Sequence, residues 1–207
     1  MSASSSKLRI GAAGLAGLFV VGAVGGLIGD MCHVVSGTTR YLEDPLPYVW
    51  RSQLWFPLMV GSGTAALGWI RVRLATERDA AGAAGSLRQA VLMIGSILAL
   101  YALTAVVRGE PQDVAIVIVY AVAAVICASF ATGPADLACG VLAALFGVTT
   151  EIVLAAADVF EYADDVSRVA GVASWLPALY LAYGVVAARL GLMAAAAPAS
   201  APVTSAP

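Results

Sequence analysis

The side chains best able to do chemistry in this sequence are the ionisable groups that fall inside apolar stretches. Glu151 stands within an apolar run from 137 to 158. A charge at mid-bilayer costs on the order of 3 kcal/mol unless it is partnered or wetted. Glu151 is therefore expected to face other helices, either touching a ligand or tying helices together through a Tyr or Thr. Asp30 and His33 end the first apolar run and Asp158 ends the fifth, and they read as solvated end groups. Together with Glu151, the two aspartates would supply the protonation sites of a small proton-coupled transporter, which is the alternative function. No nucleophile, metal-ligand spacing or phosphate loop accompanies these residues, and a lone histidine argues against a metal centre. No catalytic residue, metal or enzymatic activity is expected.

A second set is hydroxylated. Tyr101, Thr104, Tyr120, Tyr180 and Tyr183 lie within apolar runs, and Tyr101 falls in the same half of the membrane as Trp55, Glu151 and Trp175. Aromatic rings with one polar end suit an amphiphile with a small neutral head. No lysine lies within a span and arginines occur only at span ends, so a phosphate group would find no cation to pair with. The expected ligand is a neutral hydroxylated membrane lipid, with no other cofactor. Its candidate contacts are Trp55, Pro57, Tyr101, Tyr120, Glu151, Trp175 and Tyr180, although any single tyrosine reads equally well as a gap filler between helices.

The elements that must position these groups follow from composition. The chain has 207 residues, 61% hydrophobic and 12% charged, with a mean hydropathy of +0.91. That is too few charges to clothe a soluble globule, so the chain is an integral membrane protein. At about 20 residues per crossing, apolar windows place spans at 9–30, 54–70, 88–107, 114–131, 137–158 and 174–192. The expected fold is all-α: a polytopic bundle of six transmembrane helices over 1–193, with a disordered Ala/Pro/Ser tail over 194–207. Lys7, Arg9, Arg71, Arg73, Arg78, Arg88 and Arg189 gather on one side, against Arg40, Arg51, Arg108 and Arg168 on the other. This excess sets both termini on the cytoplasmic side. Acids such as Glu43, Asp44, Glu110, Asp113, Glu161, Asp164 and Asp165 fall mostly outside. The run after Lys7 and Arg9 is too long for a secretory core, so the first helix reads as retained.

A net charge of −2 and scattered basic residues set nucleic-acid binding aside. Cys32, Cys127 and Cys139 have no CxxC spacing and read as small apolar residues. Gly61-Ser62-Gly63-Thr64-Ala65-Ala66 mimics a dinucleotide fingerprint but follows no strand. Gly22, Gly25, Gly26 and Gly29 have the small-xxx-small spacing that lets helices approach closely, within one chain or against another copy in a homo-oligomer. Ser52 and Ser174 stand where they could cap the helices that Pro57 and Pro177 begin, with Trp55 and Trp175 as interfacial anchors. Heavy Ala, Gly and Val with Arg far above Lys suggest a GC-rich bacterial genome, and hence the bacterial inner membrane.

The order Trp55-Phe56-Pro57, Gly61, Gly68, Arg88, Gly95 and Ser174-Trp175-Leu176-Pro177 with Gly184 and Gly191 resembles the Insig family of membrane sterol sensors. Phe130 and Tyr162 are also in register, and the match runs from span two to span six. The resemblance implies six helices with both ends cytosolic, no enzymatic activity and an oxysterol held within the bundle. In animals it also implies retention of a sterol-sensing escort protein and help in marking a sterol-synthesis reductase for degradation. Three departures bear on partners. The family's second proline and paired cysteines are here Leu58, Met59 and Val60. An acid tied to escort binding is Ala131, and an arginine before the second Trp block is Ala173. They put the eukaryotic-type escort interface in doubt. The lipid-holding bundle is the feature expected to carry over, with a diacylglycerol- or sterol-like guest.

Overall fold

The computed structural model describes residues 8–42, 48–166 and 168–197. Lys7, Glu43, Asp44 and residues 198–207 of the expected tail lie outside them. Six long helices form the bundle: α1 Ala12–Ser36, α2 Trp55–Arg73, α4 Leu87–Val106, α5 Gln112–Phe130, α6 Pro134–Ala156 and α7 Leu176–Ala196. A short helix, α3 Glu77–Ala81, lies between α2 and α4. Five of the six are long and apolar enough to cross a membrane by length and composition. The one left out, α2, is less apolar and carries Arg71 and Arg73 in its last turn. Helix α7 runs through Ala196, so the first residues of the expected tail are helical.

The connections at one end of the bundle are not irregular loops. Strands β1 Thr39–Tyr41 and β4 Phe160–Tyr162 pair antiparallel, and two small hairpins, β2 Tyr48–Val49 with β3 Ser52–Gln53 and β5 Arg168–Val169 with β6 Val172–Ala173, lead into α2 and α7. We refer to this as the strand end. The serines expected to cap α2 and α7 do not do so: no side chain caps either helix. Ser52 is a buried strand residue, and Tyr120 donates to the Ser174 carbonyl. Proline in the first turn of each helix has no intrahelical hydrogen bond to lose.

An internal repeat organises the fold. Helix α1 is followed by Gly37 at φ 69°, and 121 positions later α6, which ends at Ala156, is followed by Asp158 at φ 55°. At both ends backbone N–H groups return to carbonyls three and five residues back: Gly37 to Val34 and Thr38 to His33, then Asp158 to Ala155 and Val159 to Leu154. This is the left-handed cap that satisfies the last carbonyls of a helix. The hairpin turn at Trp50, φ 56°, recurs 120 positions on at Ala170, φ 52°, and Trp55 and Pro57 recur as Trp175 and Pro177. The β1–β4 register centres on Arg40 opposite Glu161, as a twofold axis between two copies requires. The unit is thus helix, strand, hairpin, helix: α1 to α2, and again α6 to α7. Helices α4 and α5 lie between the two copies in sequence.

Packing inside each unit uses small residues, because lipid tails are as apolar as the helix surfaces and leave contact distance as the main source of attraction. A Cβ on Gly26 would lie 2.8 Å from Val60 Cβ and one on Gly184 would lie 2.7 Å from the Cys139 carbonyl oxygen, while between the units one on Gly191 would lie 2.8 Å from the Gly68 carbonyl carbon. The glycine stripe of α1 is therefore used within the chain, with Gly22 facing Thr64 and Gly29 facing the Tyr101 ring.

The end opposite the strands is locked by ions. Arg71, counted from sequence among the charges that set the topology, is fully buried. Its Nε donates to Asp136 Oδ1 at 2.5 Å and its NH2 pairs with Asp79. Thr132 donates to Asp136 through its backbone N–H and its hydroxyl, and Arg189 donates to Thr132. Asp79 also closes a capping box with Thr76 at the start of α3. The Arg71 guanidinium holds the Asp79 carboxyl down at about 2, against an ordinary value of 3.8. A carboxylate depressed in the folded state stabilises it fully above pH 4, and that contribution disappears as pH falls from about 4 to about 2. In detergent, the thermal midpoint of Asp79→Asn is expected to lie below wild type near neutral pH. The two should converge below about pH 2; a constant gap down to that pH would refute the ion pair's role.

Candidate functional site

At the strand end, three titratable groups enter the protein interior. Asp30 and His33, expected to be solvated, are buried in the last turns of α1, as is Glu151 in α6. The reason for the difference is length: α1 continues six residues past the expected boundary, so these side chains point between helices. Tyr41 from β1 donates to Asp30 Oδ2 at 2.7 Å. Tyr162 from β4 donates to Glu151 Oε2 at 2.5 Å, and Tyr180 from α7 donates to Oε1 at 2.7 Å. Asp30 and Glu151 are 121 positions apart, as are Tyr41 and Tyr162, so the two carboxylate–phenol pairs are repeat equivalents. Burial, followed by the neighbouring Glu151 charge, pushes the Tyr162 phenol well above its ordinary value, which keeps it a donor. Thr104 spends its hydroxyl proton on the Tyr101 carbonyl and so accepts from His33 Nε2 at 2.7 Å. Asp30, His33, Tyr41, Glu151 and Tyr162 line a small cavity of about 20 Å³, room for about one water.

Beside this polar cluster lies a larger space. A cleft of about 410 Å³ opens between α2 and α6, lined by Met59, Gly63, Ala66, Phe146 and Thr150 among others, with Tyr101, Tyr180 and Tyr183 at its inner wall. The volume falls within the range of ligand pockets. Its repeat equivalent, between α7 and α1, shrinks to about 50 Å³. There Ile94, Ile97, Leu98 and Tyr101 of α4 fill the groove. The two walls explain which groove takes a helix. Helix α1 presents Gly22, Gly25, Gly26 and Gly29, whereas α6 presents Ala143, Phe146, Gly147 and Thr150 at the equivalent positions. The glycine that α4 uses is Gly29, against the Tyr101 ring, where α6 has Thr150; Gly22 and Gly26 admit Thr64 and Val60 of α2.

Tyr101 lines the cleft, its plugged counterpart and the polar cavity. Its ring packs against His33 at 5.4 Å. It is buried, yet its hydroxyl makes no hydrogen bond among the described residues.

Of the residues expected to form the site, Tyr101, Tyr180, Glu151 and Trp55 converge. Trp55 lines the polar cavity and donates to Gln53 at 2.5 Å. Trp175 is buried behind the cluster with its ring against His33 and Tyr162. Pro57 is buried in the first turn of α2, outside the linings of both cleft and cavity. Tyr120 stands apart: it is exposed on a groove beside α5, α6 and α7. The sequence reading assigned no site role to Thr39, Tyr41, Phe146 or Thr150, nor to Tyr162. The repeat carries the missing signal, since Asp30–Tyr41 and Glu151–Tyr162 share one spacing, as do the two Trp-x-Pro blocks.

The chain is 43% identical over 190 residues to an INSIG protein homolog of Mycolicibacterium vanbaalenii, covering 92% of this chain and 90% of that one. It belongs to the Insig family. Among solved structures it is similar to the mycobacterial Insig homolog MvINS from Mycobacterium vanbaalenii, with a TM-score of 0.86 at 39% identity over 94% of this chain and all of that one. A cross-linked trimer of an arginine-to-cysteine variant of MvINS gives the same TM-score at 38% identity, with the same coverage. No family model matches the chain. Lipid binding and sterol sensing fit the Insig family, and a lateral cleft beside a polar cluster is an arrangement such a protein can use.

If the Glu151 oxygens are satisfied by protein, removing one donor should cost stability. Tyr162→Phe and Tyr180→Phe are each expected to lower unfolding free energy by about 1–3 kcal/mol, the penalty for an unsatisfied buried group. The double variant with Glu151→Leu should recover part of that loss, and strict additivity in the thermal midpoints would argue against the pairing.

Proposed function

We propose that this Insig-family member is a non-enzymatic lipid-binding protein of the bacterial inner membrane, with both termini cytoplasmic. It takes a neutral hydroxylated lipid, diacylglycerol- or sterol-like, into the α2/α6 cleft. The observation that carries this reading is the Tyr101 hydroxyl, which has no hydrogen-bond partner among the described residues and stands on a buried ring at the meeting point of cleft and cavity.

Apolar walls alone select nothing in a bilayer, because a tail gains little by leaving other tails for helix surfaces. Selectivity has to come from shape and from a polar contact made in a low-dielectric setting. Phe146 and Thr150 keep the cleft too narrow for a helix, which favours an acyl chain or a flat ring system. Tyr101 then offers a donor to a hydroxyl or ester oxygen. The cleft and cavity linings contain no lysine or arginine, which favours an uncharged head over a phosphate. Glu151 and Tyr180 support the head position from behind, since both carboxylate oxygens already accept from tyrosines. The cross-linked trimer of MvINS supports assembly of this chain into a homo-oligomer.

The test is binding of diacylglycerol and of a sterol to the purified protein, read by native mass spectrometry and by the thermal midpoint. Tyr101→Phe is expected to weaken binding about fivefold, the loss of one hydrogen bond of about 1 kcal/mol, without lowering the midpoint of the lipid-free protein. Gly63→Leu fills the cleft, where a Cβ meets only the Tyr183 hydroxyl at 3.5 Å, and should abolish binding in a folded protein. Equal affinity in both variants would remove the cleft from consideration.

A further inference from the structure

The small cavity lies where the two repeat units meet; the lipid reading uses its Tyr101 edge and sets Glu151 behind the head, but places nothing inside the cavity. Its wall takes Asp30, His33, Thr39 and Tyr41 from the first unit, and Glu151 and Tyr162 from the second, with Tyr101 entering from α4. Asp30 and Glu151 are repeat equivalents, so an axis relating the units passes between two buried carboxylates. Tyr180 also reaches Glu151 from α7.

No lysine or arginine lines this space. Arg40 and Glu161, on the strands that cover it, pair with each other at the protein surface. His33 does not serve as the counter-ion: its Nε2 proton goes to Thr104, and its second ring nitrogen makes no hydrogen bond among the described residues. An imidazolium there would leave a buried donor unmet. Both oxygens of Glu151 accept from phenols, the geometry of an ionised carboxylate with donors on each side. Buried charge without an opposite charge is costly, and phenol donors offset only part of it.

An independent observation points to an occupant. Thr39 is buried, lines the cavity, and its Oγ1 has no hydrogen-bond partner. The oxygens that line the space belong to carboxylates and hydroxyls, and Phe56, Leu154, Phe160 and Leu176 complete an apolar wall around them. At about 20 Å³, it admits one particle the size of a water molecule. No group of three His, Cys, Asp or Glu side chains converges as a metal site among the described residues. That disfavours divalent and transition metals, which demand several anionic or imidazole ligands at once. We propose that this cavity is a binding site for one alkali cation of the Na⁺ class, held between Asp30 and Glu151 with Thr39 Oγ1 as a neutral ligand. Ion sites at the interface of internal repeats, among groups that would otherwise be unpaired in the membrane, fit the same physical logic.

The test uses the full chain in nanodiscs of neutral lipid. Thermal midpoints are compared in NaCl, KCl and N-methylglucamine chloride at equal ionic strength and pH, and retention of radioactive sodium is measured by equilibrium dialysis. A saturable rise in midpoint with an alkali cation but not with N-methylglucamine is expected, with one sodium bound per chain. Asp30→Asn and Glu151→Gln should each lose that rise. Where either variant fails to fold, sodium retention by the wild type decides. Equal midpoints in all three salts with no sodium retained would mean a water-filled cavity and would overturn the proposal. So would a midpoint that follows pH alone, since a proton would then be the counter-ion. Lipid retention in the same samples is scored separately by mass spectrometry, so either reading can fail without the other.

Discussion

Two carboxylates buried between helices in an apolar medium must each find hydrogen-bond donors, and the strand end of this protein is arranged around that need. Asp30 and Glu151 are buried, the small cavity beside them has room for about one water, and its lining carries no lysine or arginine. The donors arrive instead on strands. β1 delivers Tyr41 to Asp30 and β4 delivers Tyr162 to Glu151, and pairing of the strands satisfies their own backbone groups. The left-handed caps at Gly37 and Asp158 turn the chain so that each strand doubles back over its own helix. The hairpins, and the Trp-x-Pro starts of α2 and α7, follow from where that turn leaves the chain.

The repeat also accounts for the cleft. Two equivalent grooves exist, and one is filled by α4, whose Tyr101 ring seats on Gly29 of α1. The other is left open, with Phe146 and Thr150 of α6 where α1 has Gly25 and Gly29. At the opposite end, the Arg71–Asp136 pair ties α2 to α6, so the two helices are joined there and separate toward the strand end. An ion pair of this kind is a weak source of net stability but a strong positional constraint once one partner is buried. The opening thus comes from broken symmetry on one wall and a clamp at its base.

In a bilayer the usual stabiliser of soluble proteins contributes little between helices. What distinguishes one guest from the surrounding lipid is therefore shape and a few polar atoms. Tyr101 concentrates that role: it packs on Gly29 and His33, borders three spaces, and keeps its hydroxyl free while its neighbours Tyr162 and Tyr180 are committed to Glu151. Membership in the Insig family gives this arrangement a context.

The sequence by itself determined the membrane class, the number of long helices and the burial of Glu151, because hydropathy and the cost of charge in lipid act locally and show in composition. It also carried the Trp-x-Pro blocks and the glycine spacings that align the chain with its family. It did not disclose that Asp30 and His33 lie inside, since a helix end read from hydropathy stops at the first charge, whereas the folded helix continues to the residue that can turn left-handed. Nor did it place Arg71 in the interior or separate Tyr120 from the other tyrosines. Those outcomes were decided by tertiary structure, for a physical reason: a polar side chain's environment depends on which distant donors reach it. Here the donors come from strands 11 residues away in sequence, from α7 at 29 residues, and for Asp136 from Arg71 on α2, 65 residues away.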